Sequence, residues 1–316
     1  MRPIEFKGTI DVTIGICVKN GERTIENAIV SVLDQTFDKE RMEIIVVDDG
    51  STDRTVSIVA DLASKSEVKL MLYSTSGRGL AVARQIVVDN ACADFVIFVD
   101  ADMVLSKDFV NKQVDVISKN PVIGVVAGKM KGIPNRGLVA ELEDISYSSD
   151  YEIGIHRNWR ANPQKLGTGG SIFRLAALRQ VGGFDTRIKG AAEDADITAK
   201  IKLGGYTLLV SEAEYKHEFK QTLKSLWKQY SWYGSGMHYF FHKQKELPED
   251  MLVFFWPITL AWGIVRSMLF FRATRRKIAF SLAPYNFFRA TAWWFGFLSA
   301  HQEGYGHEYR CSKGKR

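Results

Sequence analysis

Acidic residues follow two apolar segments of this 316-residue chain, in positions where they could share a metal ion. The motif Asp100-Ala101-Asp102 ends one apolar run, and the pair Asp48-Asp49 ends another. Such runs are typical of buried strands, and in an open α/β sheet ligands bind at the carboxyl ends of the strands. Two carboxylates at alternate positions of an extended segment point the same way, which suits a divalent cation shared with a diphosphate. The alternative is that both are ordinary acidic residues of solvated turns.

The order of the predicted elements places both acidic runs in one sheet. The apolar patterns predict strands over 12–18, 43–47, 68–73, 95–99 and 122–127, and helices over 22–37, 55–64 and 80–90. Strands that alternate with helices in this way predict an α/β fold, with a mostly parallel sheet and helices on both faces.

The second half of the chain combines glycine-rich turns with shorter elements and then changes in composition. It predicts helices over 175–181, 195–203 and 221–242, and a short strand over 206–210. After residue 248 the chain becomes rich in Trp, Phe and Leu with scattered Arg. We therefore expect a domain over 1–248, with halves at 1–128 and 129–248, and a separate basic tail over 249–316.

Charge and cysteine content restrict the partners and the compartment. The net charge is +6, but residues 251–316 carry ten Lys and Arg against two Glu, so the main domain is slightly acidic and should not bind nucleic acid. The three cysteines, Cys17, Cys92 and Cys311, lack metal-ligand spacing and indicate reduced thiols in a cytosolic setting. The first residues show no apolar core of a signal peptide.

Two other enzyme classes are excluded by their missing motifs. A dinucleotide-binding enzyme would carry a glycine fingerprint after the first strand, where residues 17–21 lack it. The segment Gly77-Arg78-Gly79 is too short to replace that fingerprint, and a P-loop is absent. The sequence also lacks the Gly-x-Ser-x-Gly motif of serine hydrolases.

Four blocks of the sequence carry a resemblance to one family. They are 12–21, in which Asn20 is kept while Cys17 and Lys19 replace the usual Pro and Tyr, then 47–53, 98–102, and the group 169–171, 182–185 and 193–196. In this order they resemble the family 2 glycosyltransferases, which have the GT-A fold, over roughly residues 10–220. The resemblance implies a nucleotide-sugar donor and a divalent metal, Mg²⁺ or Mn²⁺.

The resemblance also implies roles for individual residues. It implies that Asp49, with Asp48 beside it, accepts hydrogen bonds from the base of the nucleotide, and that the cofactor site includes Asn20, Asp48, Asp49, Arg84, Asp100, Ala101 and Asp102. It implies a metal site made by Asp100, Asp102 and His217. It places Asp194 as the general base, at the start of a helix whose N-terminus favours an anion.

Each of these roles has a structural alternative at this point. Asp48 could simply form a turn, Arg84 could be a surface cation, Asp194 could be an ordinary acid of a helix N-terminus, and His217 could be structural.

The tail contains two apolar stretches, 251–271 and 278–300, each long enough to span a bilayer. Arg266 and Arg289 lie inside them, and the loop 272–277 between them carries four cations, which the positive-inside rule would keep on the cytoplasmic side. We therefore expect membrane-associating helices that lie in the interface, with Arg and Trp at headgroup level. Two true spans and a soluble oligomer interface are the alternatives.

Together these features predict an inverting, non-processive glycosyltransferase at the cytoplasmic membrane face. The Arg of the processive motif Gln-x-x-Arg-Trp is missing after Gln229, which favours one sugar per encounter. The acceptor is expected to be a hydroxyl of a lipid-linked glycan or glycolipid, since a hydroxyl needs a base. The alternatives are a polyprenyl-phosphate glycosyltransferase and a non-catalytic GT-A membrane scaffold.

Overall fold

The structure, a computed structural model, describes residues 10–134, 137–152, 166–244 and 255–307, with only the backbone over 148–152. It divides the chain into two compact units. The sheet unit comprises 1–131, 158–189 and 194–217, and the helical unit comprises 132–157, 190–193 and 218–316. The expected domain boundary near residue 248 falls outside the described residues and stays a prediction.

The sheet unit is built on a mixed sheet of eight strands. In chain order they are β1 (Val12–Val18), β2 (Met42–Asp48), β3 (Lys69–Ser74), β4 (Phe95–Asp100), β5 (Met103–Leu105), β6 (Ile123–Gly132), β7 (Ser171–Arg174) and β8 (Thr207–His217). The spatial order is β3-β2-β1-β4-β7-β6-β8-β5. The first four strands of this order are parallel, as the sequence predicts, whereas β7 runs antiparallel to β4 and β6, and β5 runs antiparallel to β8.

The helices follow the predicted pattern with a few additions. They are α1 (Ile25–Leu33), α2 (Thr55–Lys65), α3 (Leu80–Asn90), α4 (Phe109–Ile117), α5 (Leu138–Glu152), α6 (Leu175–Gln180), α7 (Glu193–Leu203), α8 (Leu223–Gln244), α9 (Trp256–Thr274) and α10 (Leu282–Gln302). The sequence patterns did not predict α4, α5, β5 or β7. The predicted short strand over 206–210 continues to His217, and its last three residues, 215–217, pair with β5.

The side chains on both faces of the sheet are buried in apolar clusters. Ile14, Ile44 and Ile97 belong to one fully buried apolar cluster, while Ile45 and Val96 belong to another. Successive side chains of a strand point to opposite faces, so near-continuous apolar strands require cover on both sides. The structure thus confirms the expected arrangement of helices on the two faces.

The helical unit packs α5, α8, α9 and α10 around a core that includes Leu226, Tyr230 and Phe270. The backbones of α8 and α10 approach very closely at two glycines. A Cβ atom on Gly234 would lie 1.9 Å from the Trp293 carbonyl oxygen, and one on Gly296 would lie 1.8 Å from the Ser231 carbonyl oxygen. Only glycine fits at either position.

Three residues of the tail make contacts within the helical unit. Arg266 donates to the Ser146 carbonyl oxygen at 3.0 Å, and Arg289 donates to the Ser146 hydroxyl and covers the Tyr230 ring at 4.4 Å. Trp293 is buried and stacks on Phe297 at 5.2 Å. The expectation that Trp293 lies at headgroup level is therefore wrong, because this side chain is buried within the helical unit. Arg266 and Arg289 are half-buried, and their position at headgroup level stays a prediction.

None of the helices in the described part of the chain has the combined length and apolar composition that a membrane crossing requires.

Candidate active site

The parallel strands bring the acidic motifs to one edge of the sheet. In register, Cys17 of β1 pairs with Val47 of β2 and with Asp100 of β4, and Val18 pairs with Asp48. The acids therefore lie at the carboxyl ends of β2 and β4, on either side of β1, at the edge where α/β sheets bind ligands.

Asp48 shapes the turn after β2 and also keeps an acceptor atom available. Its Oδ2 accepts the backbone N–H groups of Gly50 at 3.2 Å and Ser51 at 3.1 Å. Its Oδ1 is buried and accepts no hydrogen bond from the described residues. Because a buried charged oxygen is costly without a donor, this atom is a candidate contact for a ligand N–H.

Asp49 holds a loop that leads into α3. Its carboxylate accepts the Thr75 hydroxyl, the Arg78 backbone N–H at 2.8 Å and the Gly79 backbone N–H at 3.0 Å. Sequence reasoning missed Thr75, and it used the glycines at 77 and 79 only to exclude a dinucleotide fingerprint. The signal was present, since a glycine-rich segment before a helix exposes backbone donors. The predicted contact of Asp49 with a base stays a prediction.

Asn20 connects the loops that follow β1 and β2. Its backbone N–H donates to the Ser51 hydroxyl at 2.7 Å, and its side-chain oxygen accepts the Thr52 backbone N–H at 2.8 Å. Its φ of 53° lies in the left-handed region, which asparagine tolerates better than most residues. Asn20 therefore fixes the shape of the edge on which Asp48 lies.

Asp100, Asp102 and His217 form a cluster that could hold a metal ion. One ligand atom from each lies within 4.8 Å of the others, and His217 Nε2 lies 3.3 Å from Asp102 Oδ1. The pairing of β5 with β8 produces this meeting, since His217 faces Met103 in register. Two carboxylates and one imidazole suit Mn²⁺ and are compatible with Mg²⁺, so the residues fit the predicted ion.

Gly169, which lies beside this cluster, leaves no room for a side chain. A Cβ atom on Gly169 would lie 2.3 Å from Asp100 Oδ2, closer than any real contact. Sequence reasoning used Gly169 only as part of a family block and did not find this role. Ala101, which was expected in the cofactor site, lies between the two acids and packs against the apolar core.

Arg84 is not a surface cation, so that alternative is wrong. The residue is only 4% exposed, and its Nη2 lies 3.1 Å from Asp100 Oδ1. Its guanidinium carbon lies 5.9 Å from the centre of the Phe98 ring. Arg84 thus donates a charge-assisted hydrogen bond to Asp100 from a nearly buried position.

Asp194 begins α7 and lies within electrostatic reach of the same group of residues. Burial raises the pKa of its carboxyl, the Arg84 charge opposes that rise, and the Asp100 charge adds to it. Its Oδ1 accepts the Ala195 backbone N–H at 2.7 Å. Its neighbour Asp196 is buried and pairs with Lys200 at 3.4 Å, which indicates a structural role. A carboxylate with a raised pKa is the stronger base, as proton abstraction from a hydroxyl requires.

Solved glycosyltransferases share this fold. A mannosyltransferase, PcManGT from Pyrobaculum calidifontis, in complex with GDP-Man and Mn²⁺, matches with a TM-score of 0.65 at 18% identity, over 94% of this chain and 89% of that chain. The structure of S. aureus TarS 1-349 matches with a TM-score of 0.52 at 20% identity, over 93% of this chain and 92% of that chain. At these identities the likeness concerns the fold alone.

Curated relatives are polysaccharide synthases by name. The chain is 27% identical over 249 residues to the poly-beta-1,6-N-acetyl-D-glucosamine synthase of Staphylococcus epidermidis, and 26% identical over 262 residues to that of Staphylococcus aureus. These alignments cover 75% and 79% of this chain but only 55% and 62% of the relatives.

Residues 13–182, more than half of the chain, match the family described as Glycosyl transferase family 2. The match includes all of blocks 47–53 and 98–102, with both acidic motifs, and all but the first residue of block 12–21. With its α/β GT-A-like fold and the acidic edge described above, the chain belongs to glycosyl transferase family 2.

Proposed function

We propose that this glycosyltransferase moves a sugar, with inversion, from a nucleotide-sugar donor to a hydroxyl of a lipid-linked glycan or glycolipid. One observation carries the proposal: Asp100, Asp102 and His217 meet at the edge of the sheet, and the charges of Asp100 and Arg84 act on Asp194. This arrangement offers a divalent-cation site and a base of raised pKa in one unit of the protein.

The donor is proposed to bind along the carboxyl ends of β1, β2 and β4. Asp49, with Asp48 beside it, accepts hydrogen bonds from the base. The Oδ1 of Asp48, which has no hydrogen-bond partner among the described residues, supports an N–H contact there. Asp100, Asp102 and His217 hold Mn²⁺ or Mg²⁺ near the diphosphate. When bound, the ion supplies positive charge that stabilises the leaving nucleoside diphosphate.

Asp194 is proposed to take the proton of the acceptor hydroxyl. An inverting transfer needs one carboxylate to remove this proton while the anomeric carbon is attacked from the face opposite the leaving group. A phosphate acceptor is already anionic and would not need that base. The base therefore favours a hydroxyl acceptor over a polyprenyl phosphate.

The helical unit is proposed to attach the enzyme to the cytoplasmic membrane face without crossing it. Large apolar side chains of α9 are exposed: Trp256, Ile258, Leu260, Trp262, Ile264, Val265, Met268 and Leu269. The last turn of α9 and the residues that follow it expose four cations: Arg272, Arg275, Arg276 and Lys277. Apolar side chains beside cations suit a surface of anionic lipids, where each cation contributes about 1 kcal/mol.

The function is tested by assaying Asp194→Asn with two acceptor types, a lipid-linked saccharide and a polyprenyl phosphate, and with UDP-sugar and GDP-sugar donors. We expect the wild type to add one sugar to the saccharide and the variant to lose that activity. If the wild type used only the phosphate acceptor, and Asp194→Asn kept that activity, the hydroxyl proposal would be wrong. If the wild type neither transferred nor hydrolysed any donor, the proposal of an enzyme would be wrong, and the alternative of a non-catalytic scaffold would be favoured.

A further inference from the structure

Four of the six histidines of the chain meet at one place in the helical unit. His238 and His242 lie one turn apart on α8, His301 lies in the last turn of α10, and His307 follows in the turns after it. We propose that these four imidazoles bind one zinc-class transition-metal ion in a closed structural site, separate from the acidic cluster of the sheet unit.

The ring nitrogens are already spaced for a single ion. His238 Nε2 lies 3.2 Å from His301 Nδ1 and 3.1 Å from His242 Nε2. One nitrogen from each of the four rings lies within 4.8 Å of the others. Zn–N bonds of about 2.0–2.1 Å in a tetrahedral site place ligand nitrogens roughly 3.3 Å apart. The two distances from His238 Nε2 already match this spacing, and the other pairs, which lie within 4.8 Å, would close by at most about 1.5 Å on binding.

The tautomer of His238 directs a lone pair into the cluster. Its Nδ1 lies 2.7 Å from the Tyr305 carbonyl oxygen, which can only accept a hydrogen bond. Nδ1 must therefore carry the proton, which leaves Nε2 as the unprotonated atom that faces His242 and His301. A backbone carbonyl on the far ring nitrogen is the usual outer contact of a metal-binding histidine.

Hydrogen bonds among the rings do not account for this geometry. The single lone pair of His238 Nε2 has two ring nitrogens at nearly equal distance, and it cannot accept a good hydrogen bond from both. In addition, His307 Nε2 is buried and has no hydrogen-bond partner among the described residues. A cation at the centre would satisfy both rings, because each would give it a lone pair.

The donor set selects the class of metal. Four imidazole nitrogens suit Zn²⁺ and related transition metals, whereas Mg²⁺ and Ca²⁺ prefer oxygen ligands. Four protein ligands leave no open position, which is typical of structural rather than catalytic zinc. The ion would tie α8, the end of α10 and the turn after α10 together, close to the helix pair that meets at Gly234 and Gly296. Its main effect would therefore be on the stability of the helical unit.

The test uses the untagged, full-length protein, stripped with a chelator and then dialysed against buffered Zn²⁺ in excess Mg²⁺. Bound zinc is measured by elemental analysis, and the melting temperature is measured in parallel. We expect one tightly bound Zn²⁺ per chain and a higher melting temperature with zinc. His301→Gln and His242→Gln should each weaken binding by more than about tenfold, since even outer contacts of a metal site are worth 10–100-fold.

The two remaining histidines of the chain provide controls. His217→Gln removes the acidic-cluster ligand, and His156→Gln removes a histidine outside the described residues; both should keep the tight Zn²⁺. Because His301 is exposed, its substitution should leave the apo-protein folded, which circular dichroism checks. Co²⁺ in place of Zn²⁺ should give the strong visible absorption of a tetrahedral site. A wild type without tight zinc, zinc binding unchanged in both cluster variants, or binding lost in His217→Gln would each overturn the proposal.

Discussion

Arg84 Nη2 lies 3.1 Å from Asp100 Oδ1, and this nearly buried cation also opposes the rise in the pKa of Asp194. One guanidinium therefore serves both the predicted metal ligand and the predicted base. The Asp100 side chain is 36% exposed, so the pair lies at the boundary between the protein interior and the surface.

Arg84→Gln should shift the pH dependence of the reaction. Without the Arg84 charge, the pKa of Asp194 rises further, so the acid form persists to higher pH. Since transfer needs the deprotonated base, the acid limb of kcat/KM should move to higher pH, and turnover at neutral pH should fall. Arg84→Lys, which keeps the charge, should shift the limb less. Superimposable pH profiles for the wild type and both variants would show that Arg84 does not act on the base.

Asp194→Asn should lower turnover with a hydroxyl acceptor by roughly 10²–10⁴-fold, the usual worth of a general base. The affinity for the nucleotide sugar should remain nearly unchanged. In the wild type, burial raises the pKa of Asp194 above the ordinary value of 3.8, so activity should already be lost as the pH falls through that higher pKa. Turnover is measured in single-turnover assays and donor affinity by calorimetry.

Asp196→Asn, which removes the neighbouring carboxylate, is the control for this prediction. Because Asp196 pairs with Lys200, Asp196→Asn should lower the melting temperature, whereas its turnover should fall much less than that of Asp194→Asn. A larger loss of turnover in Asp196→Asn than in Asp194→Asn would show that Asp194 is not the general base.

Asp102→Asn should keep the fold and remove most of the transfer that depends on a divalent metal. A neutral amide replaces one anionic oxygen ligand, which weakens the hold on Mn²⁺ or Mg²⁺. Mn²⁺ affinity is measured by electron paramagnetic resonance, and activity is measured across a metal titration. The exposed Asp61→Asn is a matched control that removes a surface carboxylate. Wild-type turnover in Asp102→Asn would remove this residue from the metal site.

Gly169→Ala should damage the metal site without any change in a charged group. The new Cβ would lie 2.3 Å from Asp100 Oδ2, so the carboxylate must move. We expect weaker Mn²⁺ binding and a higher KM for the donor. Gly167→Ala is the matched control, because a Cβ there meets no atom within 4 Å. Equal Mn²⁺ affinity in the two alanine variants would contradict the role of Gly169.

Met268→Ser should weaken attachment to vesicles that contain anionic lipid. The Met268 side chain is 63% exposed on α9, and burying a side chain of this size contributes about 1.5–3 kcal/mol, or roughly tenfold or more in partition. Leu203→Ser, in which an 81% exposed leucine outside the helical unit is replaced, is the control. Sedimentation with vesicles measures both. Equal binding by the two variants and the wild type would place the membrane contact elsewhere.

The sequence by itself determined the first half of the sheet unit. The predicted bounds of β1 and α3 agree with the structure, and the acids lie at the strand ends where the apolar runs stop. These elements are readable because each apolar pattern is complete within one segment and both faces of the sheet are buried. The family blocks located the acidic edge for the same reason, since each block is a short local signal.

The tertiary structure alone decided which distant residues meet. Strands β5 and β7 have three and four residues, too few for a pattern, and their pairing is what brings His217 to Asp102 and Gly169 to Asp100. The same holds for Arg84 and Asp100. The two tail arginines also show it, because no local pattern indicates that Ser146 of α5 accepts hydrogen bonds from both. Residues far apart in sequence leave no local signal, and only the packing of the folded chain fixes their distances.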